Sequence, residues 1–367
     1  MVNIGQGWAD LGCVVSYLSH KGFSSSVSDL YVENGANTVV PKGPLAFRLG
    51  ELQMVRNALS KYPPDIAILA LPDSELKVLT GLALYIRGSK VIFDYGGMWQ
   101  SLMFRADDRA KSLQDQFLLL GLNGSEDALA LATSRLPNIV SAPTKTLANF
   151  LSKFLFRKTQ VVYHPIDIGL SSSLEEQSHR LPPELADAKR SQRLILTIAK
   201  GDDPLSYLVP QLTKVLVRRG AMLVVIGDCP VTMELVRKRE WGSHYYFVQR
   251  VVHPELARWI HSSEFGLSLN PSGLRHQAIV PCGLSRIAEH FAMGKPVISD
   301  SFSAKEYVTD GVTGYTAKSL DELLSRTDFL LADDAMLAEM GSNARIFAAR
   351  NFDNRIIAKQ LLDLLGV

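Results

Sequence analysis

The sequence predicts an α/β protein built as two doubly wound domains, each a parallel sheet with helices on both faces, closed by C-terminal helices. Three observations lead there. Short apolar, β-branched runs alternate with helical patterns along the chain, as buried parallel strands and their crossover helices do. The alternation breaks once, over the polar stretch 167–192, and then restarts. At 367 residues the chain is also too long for one ordinary core.

Taken in order, residues 1–4 read as a short apolar strand, Gly5-Gln6-Gly7-Trp8 as a loop, and 10–20 as a helix ending at Gly22. Strands are expected at 65–70, 90–93, 138–141 and 160–163, with helices at 46–61 and 74–87 among them. The interruption contains Ser171-Ser172-Ser173, Glu175-Glu176 and Pro182-Pro183, a linker composition. Strands then recur at 193–199, 222–227, 245–248, 265–269 and 296–299, and 320–367 is almost wholly helical. The expected organisation is an N-terminal domain over 1–167, a linker over 168–192, a C-terminal domain over 193–350 and a final helix over 351–367. Two such domains in tandem place a ligand cleft between the carboxyl ends of both sheets.

Composition narrows the class. The chain is 47% apolar and 21% charged, the balance of a globular protein. A net charge of +2 implies no polyanion partner, and no nucleic-acid-binding module is recognisable. Cys13, Cys229 and Cys282 are scattered without metal-ligand spacing, which favours a reducing compartment over a disulfide framework. There is no apolar run of the ~18 residues a membrane span needs and no secretory leader pattern, so a cytoplasmic location is expected. No metal cluster, P-loop or nucleophile elbow is evident.

The most informative stretch is Cys282-Gly283-Leu284-Ser285-Arg286-Ile287-Ala288-Glu289-His290-Phe291-Ala292-Met293-Gly294-Lys295-Pro296-Val297-Ile298-Ser299. A small-residue turn leads into an apolar helix carrying one acidic residue. The helix stops at a glycine and a buried strand follows. Glu289 lies in its first half, near the positive end, where a carboxylate can accept hydrogen bonds from vicinal hydroxyls while phosphate sits at the helix N-terminus. A little further on, Glu306-Tyr307-Val308-Thr309-Asp310-Gly311-Val312-Thr313-Gly314 supplies an acidic residue and a glycine turn.

These two pieces, in this order and spacing, resemble the nucleotide-sugar signature of GT-B glycosyltransferases, above all the retaining family 4 type. Other segments look like the same family: Val161-Val162-Tyr163-His164-Pro165-Ile166-Asp167 at the end of the N-terminal domain, 194–201 and 222–228 at the start of the C-terminal one, and Met340-Gly341-Ser342-Asn343-Ala344-Arg345 with Asn351-Phe352-Asp353 in the closing helices. The resemblance implies two Rossmann-like domains and a last helix that crosses back onto the N-terminal one. It implies transfer of a hexosyl-type group from a nucleoside diphosphate sugar to an acceptor hydroxyl, with retention of configuration, no essential metal and no cofactor besides that co-substrate.

It also distributes roles. Glu289 would bind the donor's ribose hydroxyls. Lys200, directly after a strand, would contact donor phosphate and neutralise the leaving diphosphate. Ser272 and Arg275 lie on the loop that faces the donor, and Arg286 precedes the acidic position of the helix. Gly5 and Gly7 would present turn amides to donor or acceptor, with a plain tight turn as the alternative. Asp94 follows a buried strand and would act on the acceptor side, or simply form the turn. His164 reads as structural, with a place facing the cleft as the alternative.

Two departures stand out. The paired acidic motif of many members would put its first glutamate at Pro281. Asp202 and Asp203 occupy the region where a second cation is usual, leaving Arg275 and Arg286 as substitutes. These keep two other readings open, a noncatalytic GT-B partner or sugar-binding module and a sugar-nucleotide epimerase. Residues 151–158, Leu-Ser-Lys-Phe-Leu-Phe-Arg-Lys, interleave apolar and basic side chains. That suits peripheral contact with an anionic membrane surface, or an ordinary solvated helix end.

Overall fold

In the computed structural model, residues 2–13, 15, 17–19, 22–24, 64–70, 75–95, 135–169, 190–199, 205–249, 251, 253–269, 284–300 and 302–367 are described below. The expected helix at 46–61 lies outside them. The chain divides into two compact units, one of Met1–Tyr163 with Asn354–Val367 and one of His164–Asp353.

The first unit is organised on apolar strands that pair in parallel. Strands β3 (Ile66–Ala70), β4 (Lys90–Asp94), β5 (Ile139–Ala142) and β6 (Gln160–Val161) form a sheet in that order. A separate antiparallel pair joins β1 (Tyr17–Ser19) to β2 (Gly22–Ser24). Side chains on a strand alternate between faces, and β4 shows it directly. Val91 and Phe93 join Leu84, Val140, Leu147 and Leu151 on one side. Ile92 joins Trp8, Ile139, Val162, Ile357 and Leu361 on the other. Helix α2 (Glu75–Ile86) connects β3 to β4, and α3 (Lys145–Phe154) connects β5 to β6. Thr144 caps α3 by accepting the amide of Leu147 at 3.0 Å, which satisfies a free first-turn donor.

The opening of the chain differs from the expected strand and loop. Residues Val2–Asp10 form helix α1, with Gly5 and Gly7 inside it, and the predicted helix over 10–20 is replaced by the end of α1 and strand β1. The physical reason lies at the other end of the chain, in helix α10 (Asn354–Leu365), which packs along α1. Trp8 Nε1 donates to the Ala358 carbonyl at 3.0 Å, and Arg355 Nε pairs with Asp10 at 3.0 Å. Gly7 permits the approach, because a Cβ there would overlap the Asn354 carbonyl oxygen.

Among the described residues, the second unit has one six-stranded parallel sheet. Its strands are β7 (Arg193–Ile198), β8 (Ala221–Ile226), β9 (Tyr245–Val248), β10 (Phe265–Ser268), β11 (Val297–Ser299) and β12 (Gly314–Thr316), in the order β12-β11-β10-β7-β8-β9. Between them run α4 (Leu205–Arg219), α5 (Pro230–Lys238), α6 (His253–Ser262) and α7 (Leu284–Ala292), followed by α8 (Leu320–Leu330) and α9 (Asp334–Asn351). Ile195 packs with Leu205, Val209 and Leu212 on one face of the sheet. Leu194 and Leu196 pack with Trp259 and Ile260 on the other.

Strand β7 pairs with β8, the next strand in sequence, on one side and with β10 on the other. The order therefore reverses between β7 and β10, which makes the crevice at their carboxyl ends the topological switch point where open α/β sheets bind ligands. The expected glycine turn does form at Gly311, with φ +76, but Gly314–Thr316 then joins the sheet as β12, parallel to β11. Gly294 at φ +66 ends α7 in the left-handed conformation that glycine favours.

Candidate nucleotide-binding site at the switch point

Helix α7 owes its pose to the buried set Leu284, Ile287, Ala288 and Phe291, spaced i, i+3, i+4, i+7 on one stripe. Arg286 lies in the first turn of this helix, and Glu289, expected in its first half near the positive end, stands one turn further on, past the midpoint of Leu284–Ala292.

Arg286 is buried at 6% exposure, and its Nη1 donates to the main-chain carbonyls of Ile198 at 2.5 Å and Leu269 at 3.3 Å. Those carbonyls belong to the carboxyl ends of β7 and β10, so a guanidinium spans the switch point. Glu289 is half-buried. Burial pushes its carboxyl up to about 7, and the positive charge of Arg286 opposes that rise. The helix thus fixes a cation at the edge where this sheet class binds ligands, with a carboxyl of raised pKa one turn further along.

Neighbouring polar groups are mostly committed to the scaffold. Thr197 Oγ1 donates to the Leu267 carbonyl at 2.9 Å, and Ser299 Oγ donates to the Ser268 carbonyl at 2.9 Å. Gly227 has φ +139, and a Cβ there would strike the Ala199 carbonyl oxygen. The Ala199 amide in turn donates to the Ile226 carbonyl at 2.9 Å. The ends of β7 and β8 are thereby held close, directly before position 200. Lys200, Ser272 and Arg275 lie outside the described residues. Asp310 of the second acidic segment is turned inward, accepting the Thr316 amide at 2.6 Å and its hydroxyl at 3.1 Å, where it braces the turn into β12.

In the first unit, Asp94 ends β4 at the carboxyl edge and is half-buried. Ser141, on the neighbouring strand, donates its Oγ hydrogen to Asp94 Oδ1 at 2.8 Å. Beside it, burial raises the Tyr95 phenol well above its ordinary value, so the phenol stays protonated. Gly5 and Gly7 do not form a ligand-facing turn. They lie within α1, where Gly7 serves packing against α10.

Sequence reasoning passed over Ser141 and His290. Ser141 is the hydroxyl in the otherwise apolar run Ile139-Val140-Ser141-Ala142, a visible signal that only acquires meaning once β4 and β5 are paired. His290 follows Glu289 in an apolar helix, and its importance depends on a glycine in β10. Among the described residues no group of three or more His, Cys, Asp and Glu is arranged to hold a metal, and no helix is long and apolar enough to cross a membrane.

A family model described as "Glycosyl transferase-like" matches residues 208–363, most of the second unit and part of α10. No curated protein matches the chain. Sucrose-phosphate synthase from Thermosynechococcus elongatus superposes with a TM-score of 0.65 at 16% identity, covering 99% of this chain and 91% of that one. HepE from Anabaena, solved with UDP-glucose, superposes with a TM-score of 0.59 at 17% identity over 87% of this chain and 83% of its own. A glycosyltransferase from Rickettsia africae gives 0.62 at 13% identity, with 99% and 92% covered. The fold is the α/β GT-B fold that the sequence predicts.

Proposed function

We propose that this protein is a glycosyltransferase that moves a hexosyl group from a nucleoside diphosphate sugar to an acceptor hydroxyl with retention of configuration. The observation that supports it most is the pairing of Arg286 and Glu289 on α7 at the switch point of the second unit. The family match over 208–363 and the UDP-glucose found in HepE support the same reading and favour a uridine diphosphate sugar as donor. In this reading Glu289 accepts hydrogen bonds from the ribose hydroxyls. Arg286 and Lys200 supply positive charge that stabilises the departing diphosphate, worth most as charge develops. Ser272 and Arg275 take the donor loop, and Asp94, oriented by Ser141, acts on the acceptor. In this reading residues 1–167 are the acceptor domain, 168–192 the linker, 193–350 the donor domain and 351–367 the final helix that returns to the acceptor domain.

The deciding experiment is a thermal-shift panel of nucleoside diphosphates, followed by turnover of the sugar donor that binds. One nucleotide is expected to raise Tm by mass action, and the transferred sugar should keep its anomeric configuration by NMR. A panel in which none stabilises the protein, with no donor consumed, removes the reading.

The stretch 151–158 belongs to this proposal as a peripheral contact with anionic lipid. Lys153 and Lys158 are exposed, as is Phe156 at 74%, held at φ +49 in the left-handed region where a non-glycine residue is strained. Arg157 is anchored by donating from Nη2 to the Asn138 carbonyl at 2.8 Å. Vesicles containing anionic lipid are expected to sediment the protein and added salt to release it, with Lys153→Gln/Lys158→Gln/Phe156→Ser largely unbound. Equal sedimentation of wild type and variant would show that this face is not the anchor.

A further inference from the structure

His290 and Gly266 are two residues that local chemistry argues against where they stand. His290 is 1% exposed inside an apolar helix face. Its Nδ1 lies 2.7 Å from the Arg286 carbonyl, and a carbonyl only accepts, so Nδ1 carries the hydrogen. Burial pulls the ring's pKa down to about 4, so the imidazole is neutral and Nε2 is a bare acceptor. That nitrogen has no hydrogen-bond partner among the described residues. A buried acceptor left in that state is unfavourable, and a leucine or phenylalanine at this position would avoid it. Gly266 sits mid-sheet in β10, paired with Val297 on one side and Leu196 on the other. A glycine there weakens the strand and marks a close approach.

The two choices fit each other. A Cβ on residue 266 would run into the Cδ2 and Nε2 atoms of the His290 ring. The bond to the Arg286 carbonyl fixes the ring against its own helix, and the missing side chain in β10 receives its far edge. One turn earlier on the same helix, Arg286 reaches both the Ile198 and Leu269 carbonyls. That reach depends on how closely α7 lies against the sheet.

We infer that His290 and Gly266 are a matched pair that seats α7 on the sheet, so that Arg286 bridges the ends of β7 and β10 and Glu289 is presented to a bound nucleotide. His290 is then a positioning residue for nucleotide binding. The inference rests on the nucleotide-sugar reading above for its ligand.

The test uses the full chain with Gly266→Val, His290→Ala and the double variant, in which the added valine carbons occupy most of the space vacated by the ring. UDP-glucose affinity is read by calorimetry. The Arg286 guanidinium is read by NMR without nucleotide, where protons held by carbonyls exchange slowly. His290→Ala is expected to lose about tenfold or more in affinity and the slow Arg286 protons, and the double variant to recover both to within about threefold. Gly266→Val, where it folds, should lose affinity as well. A His290→Ala protein that melts lower yet keeps wild-type affinity and slow Arg286 exchange would make the pair merely structural and overturn the inference. So would a folded double variant that recovers neither. Should wild type bind no nucleotide, the proposed function fails while the Arg286 exchange still decides the inference: loss in His290→Ala with recovery in the double variant upholds it, and unchanged exchange rejects it.

Discussion

Glu289→Gln is expected to weaken UDP-glucose binding at pH 8 by about 1.5–3 kcal/mol, on the order of 10–100-fold, while making the free protein more stable. Both effects follow from one carboxyl. Burial lifts it from an ordinary 4.5 to about 7. Because the folded pKa lies above the unfolded one, the folded state holds the proton more tightly between those values. Ionising Glu289 therefore costs stability progressively as pH rises from about 4.5 to 7, and the full cost persists above that. Glutamine removes that cost. The ligand reverses the preference, since ribose hydroxyls donate to a carboxylate and the diphosphate diester of a sugar nucleotide does not itself titrate in this range. Wild-type affinity should fall as pH drops below about 7, approaching tenfold per pH unit, and Glu289→Gln should show a flat profile. Neighbouring His290 stays neutral down to about 4 and does not confuse the profile. Calorimetry between pH 5.5 and 8 with paired melting curves measures both halves. A wild-type profile that is flat, or that tightens in acid, would remove Glu289 from the ribose.

Much of this architecture was legible from local signals, for reasons tied to burial. Strands β7, β8 and β10 are covered on both faces, so they read as largely apolar runs, unbroken in Ala221-Met222-Leu223-Val224-Val225-Ile226. Helix α7 could be bounded because Gly294 ends it, and its single acidic residue is conspicuous against Ile287, Ala288 and Phe291. What could not be read depends on distant partners. Nothing in Ile198 or Leu269 announces that their main-chain carbonyls will meet at a switch point and receive Arg286. Strand β12 is three residues long, and Gly314 looked like a turn because it is one residue past the turn that does form. The pairing of His290 with Gly266 crosses from helix to sheet and leaves no periodicity behind. The largest misreading, at the first ten residues, has the same origin. A pair of glycines reads as a loop until a helix from the far end of the chain lies against them.

That contact makes Gly7→Ala a test with opposite signs. Helix propensity alone favours alanine over glycine by about 1 kcal/mol in a helix interior. Here the new methyl would overlap the Asn354 carbonyl oxygen and come within 2.9 Å of Ala358 Cβ. The obstruction is main chain at the start of α10, not the end of a flexible side chain, so relief requires the helices to part. Parting them lengthens the Trp8–Ala358 hydrogen bond, now 3.0 Å, and the Asp10–Arg355 pair, now 3.0 Å. It also exposes Ile357 and Leu361, which share a core with Trp8 and Ile92 of the sheet. Overpacking of this kind costs about 1–3 kcal/mol, and main chain as the obstacle puts it in the upper part of that range. Subtracting the propensity gain leaves a net loss of about 1–2 kcal/mol. Hydrogen exchange reads the result locally, with α1 and α10 amides expected to lose protection together while β7 and β8 of the other unit keep theirs. Increased protection across α1 and α10 in Gly7→Ala would mean that propensity wins and that Gly7 is not where the two ends of the chain are joined.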